Sequence, residues 1–185
     1  MVCGMENDVF LRSLELSDIN QDYCDWYSNE DRHLDYFSGS GRVFNKESLV
    51  KDFKDGIESS RWFYYLIVSK SGDAVGNIKI GPIDLRNRTS DMVCLVGDRR
   101  FLGKGIATKA ISKAVEIAFD KYDIRRLQTG MYASNIGSIK AYTRAGWSIE
   151  ATFRGFYLVN GKSEDRVCVC YLNPKYFESE SGRKN

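Results

Sequence analysis

The sequence predicts a mixed α/β (α+β) domain, in which a central, mostly antiparallel sheet of about seven strands is flanked by about four helices. Turn signals that are typical of hairpins occur early, at Ser69–Asp73, and late, at Asn160–Gly161. Between them, strand-like apolar runs alternate with helix-periodic segments, which is the order of strand–helix–strand units. Residues 9–174 are therefore expected to form one domain between polar tails at 1–8 and 175–185.

The first element is a strand at Val9–Leu14, followed by a short helix that Ser17 and Asp18 are expected to cap. This helix carries apolar residues at helical spacing: Ile19, Tyr23, Trp26 and Tyr27. The next segment, Asn29–Arg42, contains two glycines and little periodicity, which indicates a loop.

Asn45 is expected to cap a second helix. One face of that helix is predicted to be apolar and is formed by Leu49, Val50, Phe53 and Ile57. Trp62–Val68 and Ala74–Ile80 are rich in aromatic and β-branched residues, so they are expected to form the two strands of the early hairpin.

The most regular pattern in the chain lies after the next strand, Thr89–Val96. From Ile106 to Ala118, apolar residues recur every three or four positions, which predicts a long amphipathic helix. A short helix is expected at Gly137–Arg144, ended by Ala145–Gly146. The remaining strands are predicted at Ile124–Tyr132, Trp147–Phe153 and Asp165–Leu172.

Composition limits the classes of function. The formal net charge of the 185 residues is only +2 and the basic residues are not clustered, so no nucleic-acid partner is expected. Neither a signal-peptide pattern nor an apolar run near 18 residues occurs, so a cytoplasmic protein without membrane contact is expected. The five cysteines lack a Cys-x-x-Cys pair and His33 is the single histidine, so no metal is expected. The cysteines are interpreted as small buried hydrophobes rather than as nucleophiles.

A glycine-rich segment, Arg100–Ala107, joins the strand to the long helix and predicts a phosphate site. Its glycines, Gly103 and Gly105, permit backbone conformations that other residues avoid, and the helix start offers unpaired N–H groups. A dinucleotide fingerprint would need a third glycine where Thr108 stands, and the spacing of a P-loop is absent. The remaining pattern is the Arg/Gln-x-x-Gly-x-Gly/Ala of acetyl-CoA-binding N-acetyltransferases.

A second segment strengthens this interpretation. Asn135–Trp147 matches the pattern Asn-x-x-Ser/Ala-x-x-x-Tyr-x-x-x-Gly-aromatic at the expected distance after the glycine segment. With both patterns in order, the chain resembles the GNAT superfamily of N-acetyltransferases, and within it the branch that includes the ribosomal-protein N-terminal acetyltransferases.

The resemblance implies a GNAT fold in which the fourth and fifth strands splay apart, with acetyl-CoA as co-substrate and no metal. The positions that match the cofactor-binding residues of the family are Leu95, Val96, Arg100, Phe101, Leu102, Gly103, Lys104, Gly105, Ile106 and Asn135. The resemblance also implies that the backbone N–H of Val96 stabilises the oxyanion.

The resemblance assigns Tyr142 as the general acid that protonates the leaving thiolate. Ser138 is one helical turn earlier, so both side chains are expected on the same face of the helix, and its role is proton transfer or CoA contact only. Asp91 is expected to accept the proton of the amine, directly or through water. Two alternatives stay open: Asp91 as a solvated carboxylate at the end of a strand, and Tyr142 as a packing aromatic.

The acceptor is an amine whose identity the sequence leaves open. Its predicted contacts lie beside the early helices and the last hairpin, at Trp26, Tyr27, Tyr36 and Arg154. A small-molecule amine such as an amino-sugar is favoured, and a protein N-terminus is the alternative within the same chemistry. A non-catalytic acyl-CoA-binding module is the alternative from another class. Both a monomer and a homodimer are compatible with the sequence.

Overall fold

A seven-stranded sheet organises the computed structural model, which describes residues 8–28, 36 and 44–177. Its strands are β1 (Val9–Ser13), β2 (Phe63–Ser69), β3 (Ala74–Asp84), β4 (Thr89–Val96), β5 (Arg126–Tyr132), β6 (Ser148–Val159) and β7 (Lys162–Leu172). They lie in the order β1-β2-β3-β4-β5-β7-β6. Every neighbouring pair is antiparallel except β4 and β5, which are parallel, so the predicted mixed sheet is confirmed.

Five α-helices flank the sheet in the described part of the chain: α1 (Gln21–Asp25), α2 (Lys46–Ser59), α3 (Ile106–Tyr122), α4 (Ile136–Arg144) and α5 (Pro174–Phe177). Two 3₁₀ turns, Leu16–Asp18 and Arg99–Phe101, complete the described helical structure. The sequence did not predict α5. The proposed loop at 29–42 lies outside the described residues except for Tyr36, as do positions 1–7 and 178–185 of the proposed tails.

Two apolar layers cover the two faces of the sheet. We call the face that packs on α3 and α4 the α3 face, and the one that packs on α1 and α2 the α1 face. The helical stripe predicted in α3 is confirmed, because Ala110, Ala114 and Ala118 are fully buried against the sheet. Their small side chains let the helix approach the strands closely.

The predicted cap of α2 is confirmed and its predicted apolar face is partly wrong. The Asn45 side chain accepts a hydrogen bond of 2.8 Å from the backbone N–H of Ser48, which satisfies one free donor of the first turn. Ile57, however, is 50% exposed. Gly56 faces the sheet instead, because a Cβ there would lie 2.4 Å from the Trp62 ring.

The predicted cap of α1 is wrong. The carboxylate of Asp18 is occupied by the guanidinium of Arg12, at 2.6 and 2.7 Å, and by the backbone N–H of Glu15 at 2.8 Å. The chain therefore makes a 3₁₀ turn there. The helix begins two residues later, where Asn20 accepts a hydrogen bond of 3.0 Å from the backbone N–H of Tyr23.

The last hairpin follows the sequence signal. Asn160 and Gly161 both have positive φ, at 50° and 77°, and the strand residues beside them pair directly, as in a two-residue type I′ turn. β6 runs beyond the predicted end at Phe153, because an irregularity between Phe153 and Tyr157 shifts the register without ending the pairing.

The fourth and fifth strands splay apart, as expected. Their parallel pairing includes only three residue pairs and ends at Asp91, which lies opposite Gln128. β4 continues to Val96 and stays paired with β3 to that point. The side of β4 that faces β5 is therefore without a strand partner beyond Asp91, and a gap opens in the middle of the sheet.

Candidate active site

A cavity of about 430 Å³ occupies this gap. Neighbouring residues of each strand line it, Val93 and Cys94 on β4 and Thr129 and Gly130 on β5. Because successive residues of a strand point to opposite faces, residues of both faces of the sheet border the cavity. Eleven of the sequence-predicted site residues line it: Tyr36, Leu95, Val96, Phe101, Leu102, Gly103, Gly105, Ile106, Asn135, Ser138 and Tyr142.

The glycine segment wraps one end of the cavity. Gly103 and Gly105 have φ of +72° and +79°, and Gly105 is the residue that precedes the first turn of α3. A Cβ at either position would meet no atom within 4 Å, so the backbone conformation, not space, requires glycine here. The free N–H groups of the first turn of α3 begin at Ile106, which lines the cavity, and such groups suit an anion.

The basic residues at this end are arranged differently from the sequence prediction. The guanidinium of Arg100 pairs with Asp98 at 2.6 Å, and neither Arg100 nor Lys104 is among the residues that line the cavity. Lys140 and Arg144 of α4 do line it. Their i, i+4 spacing on a predicted helix was a signal that could have identified them.

Tyr142 lies on the α3 face, at the point where β4 and β5 separate. Its hydroxyl donates a hydrogen bond of 3.0 Å to the carbonyl oxygen of Met92, the residue after the last β4–β5 pair. Its ring packs edge-on against Trp147, and 5% of the residue is exposed. Burial is the main cause that raises the pKa of Tyr142 well above its usual value, so the hydroxyl keeps its proton at neutral pH.

Asn135 and Ser138 form the start of α4 at the cavity wall. The side-chain oxygen of Asn135 accepts a hydrogen bond of 3.1 Å from the backbone N–H of Ser138. Ser138 and Tyr142 both line the cavity, as their helical spacing predicts. The cap therefore orients the helix that presents Tyr142.

Asp91 lies on the α1 face, because it precedes Met92, which belongs to the core of the α3 face. Burial is the largest influence and raises the pKa of Asp91, while a hydrogen bond with Gln128 and the charge of Arg166 lower it. Asp91 is not a lining residue of the cavity, but Val93, two residues further along the same face, is. A carboxylate and a phenol thus lie on opposite faces beside one gap.

The predicted acceptor contacts fall into three environments. Tyr36 lines the cavity, and its ring centroid lies 6.2 Å from that of Tyr132. Trp26 and Tyr27 are buried under α1, where the Tyr27 hydroxyl accepts a hydrogen bond of 2.8 Å from Asn77. Trp26 also lines a second cavity, of about 830 Å³, on the α1 face. Arg154 is exposed on β6 and lines neither cavity.

Besides Lys140 and Arg144, sequence reasoning missed Arg166 and gave Cys94 no place at the gap. Burial raises the pKa of the Cys94 thiol to about 12, so this lining residue is a neutral, weakly nucleophilic group, in agreement with its interpretation as a hydrophobe. Arg166 of β7 reaches across β5 at Gly130. No sequence pattern reports this contact, because it depends on the pairing register of β5 and β7.

The described ranges contain no group of three or more potential metal ligands. In the same ranges, every helix is too short or too polar to span a bilayer.

Comparison with known proteins decides the family. Residues 8–148 match the family model described as "Acetyltransferase (GNAT) domain". The chain belongs to the GNAT acetyltransferase family. This GNAT protein is therefore an acyltransferase that acetylates an amine, as the sequence predicted.

Three of its relatives match along most of their length. It is 24% identical over 176 residues to the probable N-acetyltransferase YjcK of Bacillus subtilis, with 90% of this chain and 94% of the relative covered. A spermidine N-acetyltransferase from Vibrio cholerae, solved with CoA and spermine, superimposes with a TM-score of 0.79 at 17% identity, covering 91% of this chain and 97% of the other. The ribosomal-protein-S5-alanine acetyltransferase from Vibrio fischeri gives 0.77 at 18% identity, covering 91% and 94%.

Proposed function

We propose that this GNAT protein moves the acetyl group of acetyl-CoA directly to the primary amine of a small molecule. The observation that carries this proposal is the cavity between β4 and β5, which residues of both faces of the sheet border. We assign Tyr142, on one face, as the group that gives a proton, and Asp91, on the other, as the group that accepts one. Donor and acceptor can then meet at the gap from opposite sides. A cytoplasmic location and an amino-sugar acceptor stay predictions.

The α3 face of the cavity fits the donor. The N–H groups at the start of α3 and the left-handed glycines before it suit a pyrophosphate, and the side chains of Lys140 and Arg144 add positive charge. The unpaired edge of β4 beyond Asp91 offers backbone groups to the peptide-like pantetheine arm. These features support acetyl-CoA as the co-substrate.

The chemistry follows from the two faces. An alkyl ammonium is mostly charged at pH 7, so Asp91 accepts a proton from it, directly or through water, before the nitrogen attacks the thioester carbonyl. The new C–N bond forms, the C–S bond breaks, and the buried Tyr142 hydroxyl gives its proton to the departing sulfur. The nitrogen loses its second proton to water as the amide forms, and water returns a proton to the Tyr142 oxygen. We assign Val96 as the backbone donor to the oxyanion.

Gly103→Val is expected to weaken CoA binding at least tenfold, because valine at φ of +72° is strained and the loop must leave the conformation that faces the cavity. Isothermal titration with CoA measures the change. Gly72→Val is the matched control, since Gly72 has φ of +92° and equally open space in the β2–β3 turn. Equal CoA affinity of folded Gly103→Val and wild type would show that the loop does not bind the pyrophosphate.

Thiol release from acetyl-CoA over a panel of primary amines tests the proposed function. We expect turnover with at least one small amine and a matching amount of N-acetylated product by mass spectrometry. Tight CoA binding without turnover of any small amine or N-terminal peptide would instead favour an acyl-CoA-binding module and contradict the proposal.

A further inference from the structure

The guanidinium of Arg166 lies against β5 next to the gap, although Arg166 is not itself a lining residue of the cavity. Arg166 pairs with Tyr132 across β5 and β7, and its side chain crosses the α1 face of β5 above Gly130. A Cβ at position 130 would lie 2.0 Å from Nε and 2.6 Å from Cζ, so only glycine leaves room for this path. Gly130 itself lines the cavity. The positive charge is therefore held beside the gap, on the face where the acceptor would enter.

Arg166 has a hydrogen-bond donor without a protein acceptor beside the gap. Its Nε is buried and has no hydrogen-bond partner among the described residues. Its guanidinium lies 4.9 Å from the centroid of the Phe156 ring, which is a cation–π contact. Other cations of this face are paired, Arg126 with Glu150 and Lys79 with Asp52. A buried Nε without a protein acceptor, on a half-buried arginine, is the arrangement expected when the acceptor comes from a ligand.

Arg166 and Asp91 lie on the same face of the sheet without forming an ion pair. Asp91 lies opposite Gln128, and Gly130 is the next residue on that face of β5, so the carboxylate and the guanidinium flank the same stretch of strand. The charge of Arg166 is near enough to act on Asp91, yet no ion pair joins the two. Two opposite charges held apart in this way match a ligand that carries both an ammonium and a carboxylate.

We propose that the acceptor is an α-amino acid, whose carboxylate binds Arg166 while its amine faces Asp91. This inference rests on the proposed function, and it makes Arg166 a specificity-determining residue. The planar guanidinium can bind a carboxylate through two parallel N–H···O bonds, which also fixes the direction of the amine.

The residues around Arg166 limit which side chain the amino-acid acceptor can carry. Tyr132 and Tyr157 lie with their ring centroids 4.0 Å apart, and Phe156 packs edge-on against Tyr157 at 5.0 Å. This aromatic wall beside Arg166 favours an apolar or aromatic amino acid. A polyamine would bring further positive charge towards Arg166, which disfavours it.

Turnover of matched acceptors tests the inference. We expect wild-type kcat/KM to be at least about 30-fold higher for L-phenylalanine than for phenethylamine, which lacks only the carboxylate. Arg166→Gln should lower the value for L-phenylalanine by about 10- to 100-fold, mainly through KM, and leave that for phenethylamine within about threefold. Arg126→Gln, which removes the same charge from the same face, should leave both within about twofold. Equal loss for both acceptors with Arg166→Gln, or wild-type preference for phenethylamine or spermidine, overturns the inference.

Binding separates this inference from the proposed function. Titration of the CoA complex with N-acetyl-L-phenylalanine and with N-acetylphenethylamine measures recognition of the carboxylate without any chemical step. The measurement uses the wild-type protein, so it does not depend on whether a variant folds. Tighter binding of the carboxylate compound without turnover of any amine supports carboxylate binding by Arg166 and contradicts acetyl transfer to an amino acid. Turnover of amines together with equal binding of both compounds leaves the proposed function standing and overturns the role of Arg166.

Discussion

Tyr142→Phe is expected to lower kcat/KM for acetyl transfer by about 10²- to 10³-fold, because it removes the acid that protonates the departing sulfur. The hydroxyl donates a hydrogen bond to the Met92 carbonyl oxygen at the gap, and it stays protonated at neutral pH because burial raises the pKa of Tyr142. The variant keeps the ring that packs against Trp147, so CoA affinity should change by less than about threefold. Steady-state kinetics and CoA titration measure the two quantities.

Tyr122→Phe is the matched control for this variant. It also removes a hydrogen-bonded hydroxyl, which belongs to a half-buried tyrosine and lies 2.7 Å from the hydroxyl of Tyr65 at the far end of α3. It should lower stability slightly and leave kcat/KM within about twofold. If Tyr142→Phe also stays within about twofold of wild type, Tyr142 is a packing residue and the assignment of the acid is wrong.

Asp91→Asn is expected to lower kcat/KM at pH 7 by about 10²-fold and to change the shape of the pH profile. In wild type, Asp91 must be ionised, so activity is lost as pH falls through its pKa, which burial raises above the usual value. Above that pKa, kcat/KM should reach a plateau, because the carboxylate can take the proton of the ammonium. The variant depends on the small neutral fraction of the amine, so its kcat/KM should rise about tenfold per pH unit up to the amine pKa.

Asp120→Asn serves as the control, since Asp120 is an exposed carboxylate on α3. It should reproduce the wild-type profile. A plateau in the profile of Asp91→Asn would assign the proton transfer to another group and return Asp91 to the role of a solvated carboxylate.

The elements that position the donor could be predicted because local rules decide them. Thr89–Val96 and the start of the helix at Ile106 agree with the predicted bounds, since an apolar run ends at glycines and a strict helical period follows. The cap of α1 could not be predicted in the same way. Both Asp18 and Asn20 are good capping residues, and the choice was made by Arg12, which binds Asp18 from a neighbouring element.

The candidate site also contains residues that the sequence could predict and residues that it could not. The glycine loop and Tyr142 are recognisable because their spacing along the chain is fixed by one turn and one helix. Arg100 was expected at the cavity, but its side chain turns to Asp98, two residues earlier, and the motif spacing does not report this choice of side-chain conformation. Arg166 comes beside Asp91 only through the pairing of β4 with β5 and of β5 with β7, together with the missing side chain of Gly130.

A crystal structure with CoA and an N-acetylated acceptor tests the central claim most directly, namely that donor and acceptor meet at the gap from opposite faces. We predict that the CoA sulfur lies within hydrogen-bond distance of the Tyr142 hydroxyl, with the pyrophosphate against the N–H groups before and at Ile106. The amide nitrogen of the product should point to the α1 face, towards Asp91. A CoA sulfur remote from Tyr142, or an acceptor bound on the α3 face beside the donor, would contradict the account.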